Sequence, residues 1–173
     1  MDKASQEIER LQKIIDRYKF LYSVGPAVIY VSKAYGDFGA TFIGENVKNQ
    51  MGYKPDDFIK DSKFWADHIH PDDRERILKD MDNLFKKGEY AHEYRFKHAD
   101  GSYRWMLDEM KLIKDNNGKP KEIIGYWVDI TSRKEIEKQL KEKVEELEKV
   151  NKLMTGRELE MMELKEKIKK QEE

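Results

Sequence analysis

The densest group of chemistry-bearing side chains is DHIHPDD at residues 67–73, where His68 and His70 stand beside Asp67, Asp72 and Asp73. Imidazoles and carboxylates at such short spacing are the donor set of a metal site. The same residues also read as a helix start. Pro71 suits the first helical position, His70 precedes it as the cap, and Asp72 and Asp73 lie where the helix dipole favours negative charge. The helix-start reading is preferred, and no metal ligands are assigned. Other chemistry is limited by what the chain lacks. With no cysteine, disulfides, thiolate metal ligation and thiol catalysis are excluded. The phosphate-cradling pattern GxxxxGK[ST] is absent, and no histidine follows His98, so no phosphoacceptor histidine stands in the C-terminal part. No catalytic residues are assigned, and this chain is expected not to be an enzyme.

The elements that must position these residues follow from periodicity. All 19 aromatic residues, 3 Trp, 9 Tyr and 7 Phe, and all 4 Pro fall before position 131. The 42 residues from Ser132 to Glu173 carry 24 charged side chains and no aromatic. A core can therefore form over about residues 25–131, and the tail needs a partner to bury anything. Residues 1–24 form an amphipathic helix, with Ile8, Leu11, Ile15, Tyr18 and Tyr22 on one stripe, stopped by Gly25-Pro26. Strands are expected over 27–31, 41–44, 90–98, 102–113 and 122–130, with short helices between the second and third. A longer helix over 71–87 presents Ile77, Met81, Leu84 and Phe85 and stops at Gly88. Asp100-Gly101 is a strong hairpin signal.

Past Thr131, Leu140, Leu147, Met154, Met161 and Ile168 recur every seven residues. That is the pattern of a coiled coil, against the alternative of a solvated helix held by Glu/Lys pairs. Asn151 stands at a core position, and Thr155-Gly156 marks a change of register. Ser132 to Glu135 reads as a capping box at the helix start. Charge is balanced, 34 basic against 35 acidic residues, so neither nucleic acid nor an anionic membrane surface is implied. No apolar run is long enough for membrane insertion, and a cytoplasmic location is expected.

Three blocks, FWADHIHPDDRERIL, EYRFKHADGSYRWM and GYWVDITSRKEIEKQL, stand in the order and spacing of the PAS sensory domain with its PAC segment. Over about 22–140 the chain resembles that family, in the variety found in sensor histidine kinases. The resemblance implies an α+β domain over 25–131: a five-stranded antiparallel sheet of order 2-1-5-4-3, with helices closing one face. It further implies a sensing or dimerising module, with output in another segment or chain.

Resemblance to flavin-binding members places Met106, Met110 and Trp127 inward, and alternation adds Tyr94 and Phe96. With Ile77 and Met81 these are the expected pocket residues. Their bulk favours a filled core over a small hydrophobic or aromatic ligand, and both outcomes stay open. Family members that form a covalent flavin adduct do so through a cysteine. Haem-binding members use a histidine on the helix that here spans 71–87. Neither residue is present, so no cofactor is assigned; a non-covalent haem or flavin sensor remains an alternative, and His92 a residue that can face the pocket. On the outer face, Trp105, Leu107 and Tyr126 form an apolar patch that the N-terminal helix, of this or a partner chain, would cover. The expected assembly is a homodimer through that helix and the coiled coil. Signal relay is assigned to Asp129 and Thr131, with Arg95 or Arg104 as partner of Asp129.

Overall fold

A computed structural model describes residues Lys3 to Glu172. Helix α1 (Lys3–Val24) leads into β1 (Ala27–Lys33) and β2 (Ala40–Ile43). Three short helices follow, α2 (Val47–Met51), α3 (Pro55–Lys60) and α4 (Phe64–His68), then α5 (Pro71–Lys87). Strands β3 (Glu89–Lys97), β4 (Tyr103–Lys114) and β5 (Pro120–Asp129) complete the sheet, and α6 runs from Thr131 to Glu172. The strand order is β2-β1-β5-β4-β3, and every neighbouring pair is antiparallel. Backbone contacts divide the chain between Thr131 and Ser132, so α1 falls with the sheet and not in a unit of its own.

Local sequence explains the element ends. At the start of α5, the His70 Nδ1 accepts the Asp72 amide at 3.2 Å, with Pro71 at the first helical position. Gly88 ends the helix in the left-handed region at φ 81°, donating its amide to the Leu84 carbonyl. Gly101, at φ 89°, closes the β3–β4 turn, where Asp100 accepts from the Ser102 amide and hydroxyl. The inner face of the sheet carries Val28, Tyr30, Tyr94, Phe96, Met106, Met110, Ile123 and Trp127, packed against Phe58, Ile77, Met81 and Leu84 from the helices.

Asp73, expected only to complement a helix dipole, is instead buried as the anchor between α5 and β3. Its Oδ2 accepts both the Arg95 amide and Nε at 2.9 Å, and its Oδ1 accepts Nη2 at 2.9 Å. Arg95 is therefore committed to α5, and its expected alternative role as the partner of Asp129 is corrected. The hydrogen bonds from Arg95 hold the Asp73 carboxyl below the usual carboxylate range. Because the folded state lowers this pKa, the stabilisation is present above pH 4 or so and is lost as pH falls through the folded value. Asp73→Asn is expected to cost about 2 kcal/mol at pH 7 and to flatten the loss of stability between pH 5 and 2. Urea unfolding of both chains across that range measures it.

Helix α6 runs unbroken through Thr155-Gly156, where the Thr155 hydroxyl donates to the Asn151 carbonyl at 3.0 Å. One further expectation changes. Helix α1 buries none of its residues, so this chain's own helix does not cover the outer sheet face. Tyr22 reaches that face, edge-on to Phe42 with centroids 5.9 Å apart.

Candidate functional site

Alternation along β4 turns Met106, Asp108, Met110 and Leu112 toward the helices. Asp108 is thus a carboxylate at 1% exposure, in the middle of an apolar face. Such a group is tolerated only when its lone pairs are used. The Tyr30 hydroxyl donates to Oδ1 at 2.8 Å and the Tyr94 hydroxyl to Oδ2 at 3.2 Å. His92 Nε2 lies 3.4 Å from Oδ2, and the Trp65 indole donates to the Tyr94 oxygen at 2.8 Å. Burial first, and then the Asp108 charge, pushes both phenols well above their ordinary range, so they remain protonated donors. The network ties β1, β3, β4 and α4 to one carboxylate.

Beside this network lies a cavity of about 50 Å³. Its wall includes Tyr30, Phe38, Phe58, Trp65, Asp108 and Trp127, with Met81 and Met110. Of the expected pocket residues, Met81, Met110 and Trp127 line the cavity. Tyr94, Phe96, Met106 and Ile77 do not; all four are at 1% exposure or less and belong to the packed core. Alternation in β3 and the family resemblance in β4 and β5 had found the correct faces but not which residues on them border empty space. His92 faces inward, with Nδ1 buried and unpartnered 3.9 Å from Asp80. Phe38 borders the cavity at φ 54°, an unusual backbone for a bulky residue.

The cavity is several-fold below the roughly 300 Å³ at which ligand pockets begin. On α5, where a haem ligand would stand, Ile77 is fully buried against the sheet. The residues present do not fit a haem or a flavin in this conformation. His68 and His70 do not converge on one point either. His68 Nδ1 lies 2.7 Å from the Phe64 carbonyl with its ring stacked on Phe64, while His70 caps α5.

The second feature is the junction after β5. The Asp129 Oδ1 accepts the Thr131 amide at 2.8 Å, and Oδ2 lies 3.5 Å from Arg104 Nη1. Arg104, and not Arg95, is the partner of Asp129. The Thr131 hydroxyl accepts the Trp105 amide at 2.9 Å, and the Ile130 amide donates to the Trp105 carbonyl at 2.8 Å. The helix begins at Thr131, one residue before the expected capping box at Ser132, and the cap is the Asp129 carboxylate. Both backbone groups of Trp105 are thereby used by the two residues that follow β5.

Along α6, Leu140, Leu147, Met154 and Met161 are 56–65% exposed; the side chain of Ile168 lies outside the described residues. Among the described residues, no helix is long and apolar enough to cross a membrane.

Sheet order, helical cover and inward cavity define a sensor-type α+β domain. Residues 40–127 match the family described as PAS fold, and the chain belongs to that family. It is 31% identical over 129 residues to the two-component sensor PprA of Pseudomonas aeruginosa, covering 72% of this chain and 13% of that protein. It is 29% identical over 135 residues to the methyl sulfide methyltransferase-associated sensor of Methanosarcina acetivorans, covering 76% of this chain and 13% of that one. The chain thus spans about an eighth of the length of these relatives. A sensory box histidine kinase/response regulator from Burkholderia thailandensis superimposes with TM-score 0.61 at 27% identity, covering 77% of this chain and 98% of that structure. This is a PAS sensor domain related to two-component sensor proteins.

Proposed function

We propose that the chain is the signal-sensing and dimerisation segment of a cytoplasmic two-component-type sensor. A small molecule in the cavity shifts β5, and Thr131 passes the shift into α6. The observation that carries this reading is the distance along the chain between cavity and helix. Trp127 lines the cavity, and Thr131, four residues on, opens the helix while its hydroxyl holds the Trp105 amide of β4. No flexible linker intervenes to absorb a movement of the strand. The exposed heptad of Leu140, Leu147, Met154 and Met161 then pairs with the same helix of a second chain. The reading assigns no catalysis to this chain; the output belongs to another segment or protein.

A fusion of the chain to a histidine-kinase catalytic core tests it. The fusion is expected to be a dimer by light scattering. Asp129→Ala should leave that mass and the thermal unfolding of the sheet domain nearly unchanged while shifting autophosphorylation roughly five-fold or more. Unaltered phosphorylation in a dimeric, folded variant would sink the relay, and a monomer would sink the dimer.

A second reading is favoured by one observation, the fill of the core. Tyr94, Phe96, Phe58 and Met106 leave so little space that the domain can serve as a ligand-free dimerisation module. In that case the fusion's activity responds to Asp129→Ala but to no small molecule.

A further inference from the structure

Five of the thirteen residues of the cavity wall are aromatic, and its one formal charge is negative. Tyr30, Phe38, Phe58, Trp65 and Trp127 line it together with Asp108, and no lysine, arginine or histidine does. The hydrogen-bond donors to Asp108 from Tyr30 and Tyr94 are neutral phenols. They occupy its lone pairs without compensating its charge, and a buried carboxylate is stabilised most by a cation within reach. His92 stands behind the carboxylate, outside the cavity wall, with Nδ1 toward Asp80. Aromatic ring faces carry negative potential and attract cations. Rings and carboxylate therefore select the same sign, and an anion is disfavoured by both.

We propose that the cavity is a site for a small organic ammonium ion, with Asp108 as its counter-ion and the rings of Tyr30, Phe58 and Trp127 as its cage. This rests on the sensing role proposed above and supplies the ligand class for it. Size narrows the class. About 50 Å³ is several times the roughly 10–15 Å³ that a cavity needs in order to admit one water, so the ion has only a few heavy atoms. Methylammonium is the natural probe. The site also reaches the relay directly, because Asp108 of β4 and Trp127 of β5 are register partners. A charge placed between them acts on β5, which ends at Asp129, two residues before Thr131.

Indole emission of the full 173-residue chain reports occupancy, since Trp65 and Trp127 line the cavity and Trp105 does not. Methylammonium chloride is titrated at constant ionic strength against methanol, a neutral molecule of equal heavy-atom count, and against tetramethylammonium. Methylammonium is expected to saturate the signal with an affinity at least ten-fold tighter than either. Asp108→Asn should weaken it ten-fold or more. The selectivity series uses the unaltered chain, so it decides the matter even if the variant does not fold. Methanol binding as tightly as methylammonium overturns the ammonium assignment and leaves a ligand-binding sensor. No saturation by any probe overturns it too, with His92 then the counterpart of Asp108, and the kinase fusion still decides separately whether the chain transmits a signal.

Discussion

Gly125→Ala is expected to destabilise the domain by roughly 2–5 kcal/mol, from overpacking and a broken buried hydrogen bond together. Gly125 stands opposite Tyr30 in the β1–β5 register. A Cβ built on it would lie 2.5 Å from both the Cζ and the hydroxyl oxygen of Tyr30, and 2.7 Å from Cε1. The backbone there is ordinary strand, so the demand for glycine is steric and not conformational. Tyr30 cannot simply swing aside. It is 6% exposed, its ring packs 5.0 Å from that of Trp127, and its hydroxyl is fixed on Asp108. Moving it strains the cavity wall and strips one donor from a buried carboxylate. Equilibrium urea unfolding gives the value. A companion variant separates the two contributions: in Tyr30→Phe the hydroxyl is gone, and Gly125→Ala on that background should cost measurably less than on the native one. Equal costs on the two backgrounds would mean that the hydroxyl does not transmit the clash.

The second large effect is expected at Phe58. Its ring is 2% exposed and lies within 4.6–6.3 Å, centroid to centroid, of Phe64, Trp127, Tyr53 and Phe96. It also forms part of the cavity wall. Phe58→Ala removes a buried aromatic side chain at a cost of about 3–5 kcal/mol. The space it vacates joins a cavity already present, bringing it toward the roughly 150 Å³ at which an apolar protein cavity takes benzene. Two results are therefore expected together: a large loss in unfolding free energy, and partial recovery of it on adding benzene, with no recovery in the native chain. Loss without recovery would show that the surrounding rings collapse into the space and that Phe58 does not set the size of the cavity.

The junction after β5 has a simpler physical basis than the cavity. Asp129 does two things at once, capping the first amide of α6 and facing Arg104 across 3.5 Å. Arg104 is a neighbour on β4 and is partly exposed, so the ion pair itself is worth little. Between strand end and helix start, Trp105 is held by the Thr131 hydroxyl, which accepts its amide, and by the Ile130 amide, which donates to its carbonyl.

The order of elements was legible in the residues because each has its own local signal: Pro71 and the paired acids at the start of α5, Gly88 at its end, Asp100-Gly101 in the hairpin, and alternation in the strands. The three motif blocks carried the sheet order. Alternation placed Tyr94 and Phe96 on the inner face, since side-chain direction in a strand is set by a period of two, and the family resemblance placed Met106, Met110 and Trp127 there. Other features were decided by the tertiary structure. Nothing local distinguishes Tyr94, which fills the core, from Tyr30 or Trp127, which border a cavity, because empty space depends on how the rings of distant elements meet. Asp108 was visible as an inward position, but its partners come from residues 14, 16 and 78 positions away. Arg95 and Arg104 were equivalent in sequence as partners of Asp129, and pairing register together with the N-terminus of α5 separated them. Periodicity fixed the strands and helices of this protein. Long-range packing fixed where the Asp108 carboxylate sits, and what it faces.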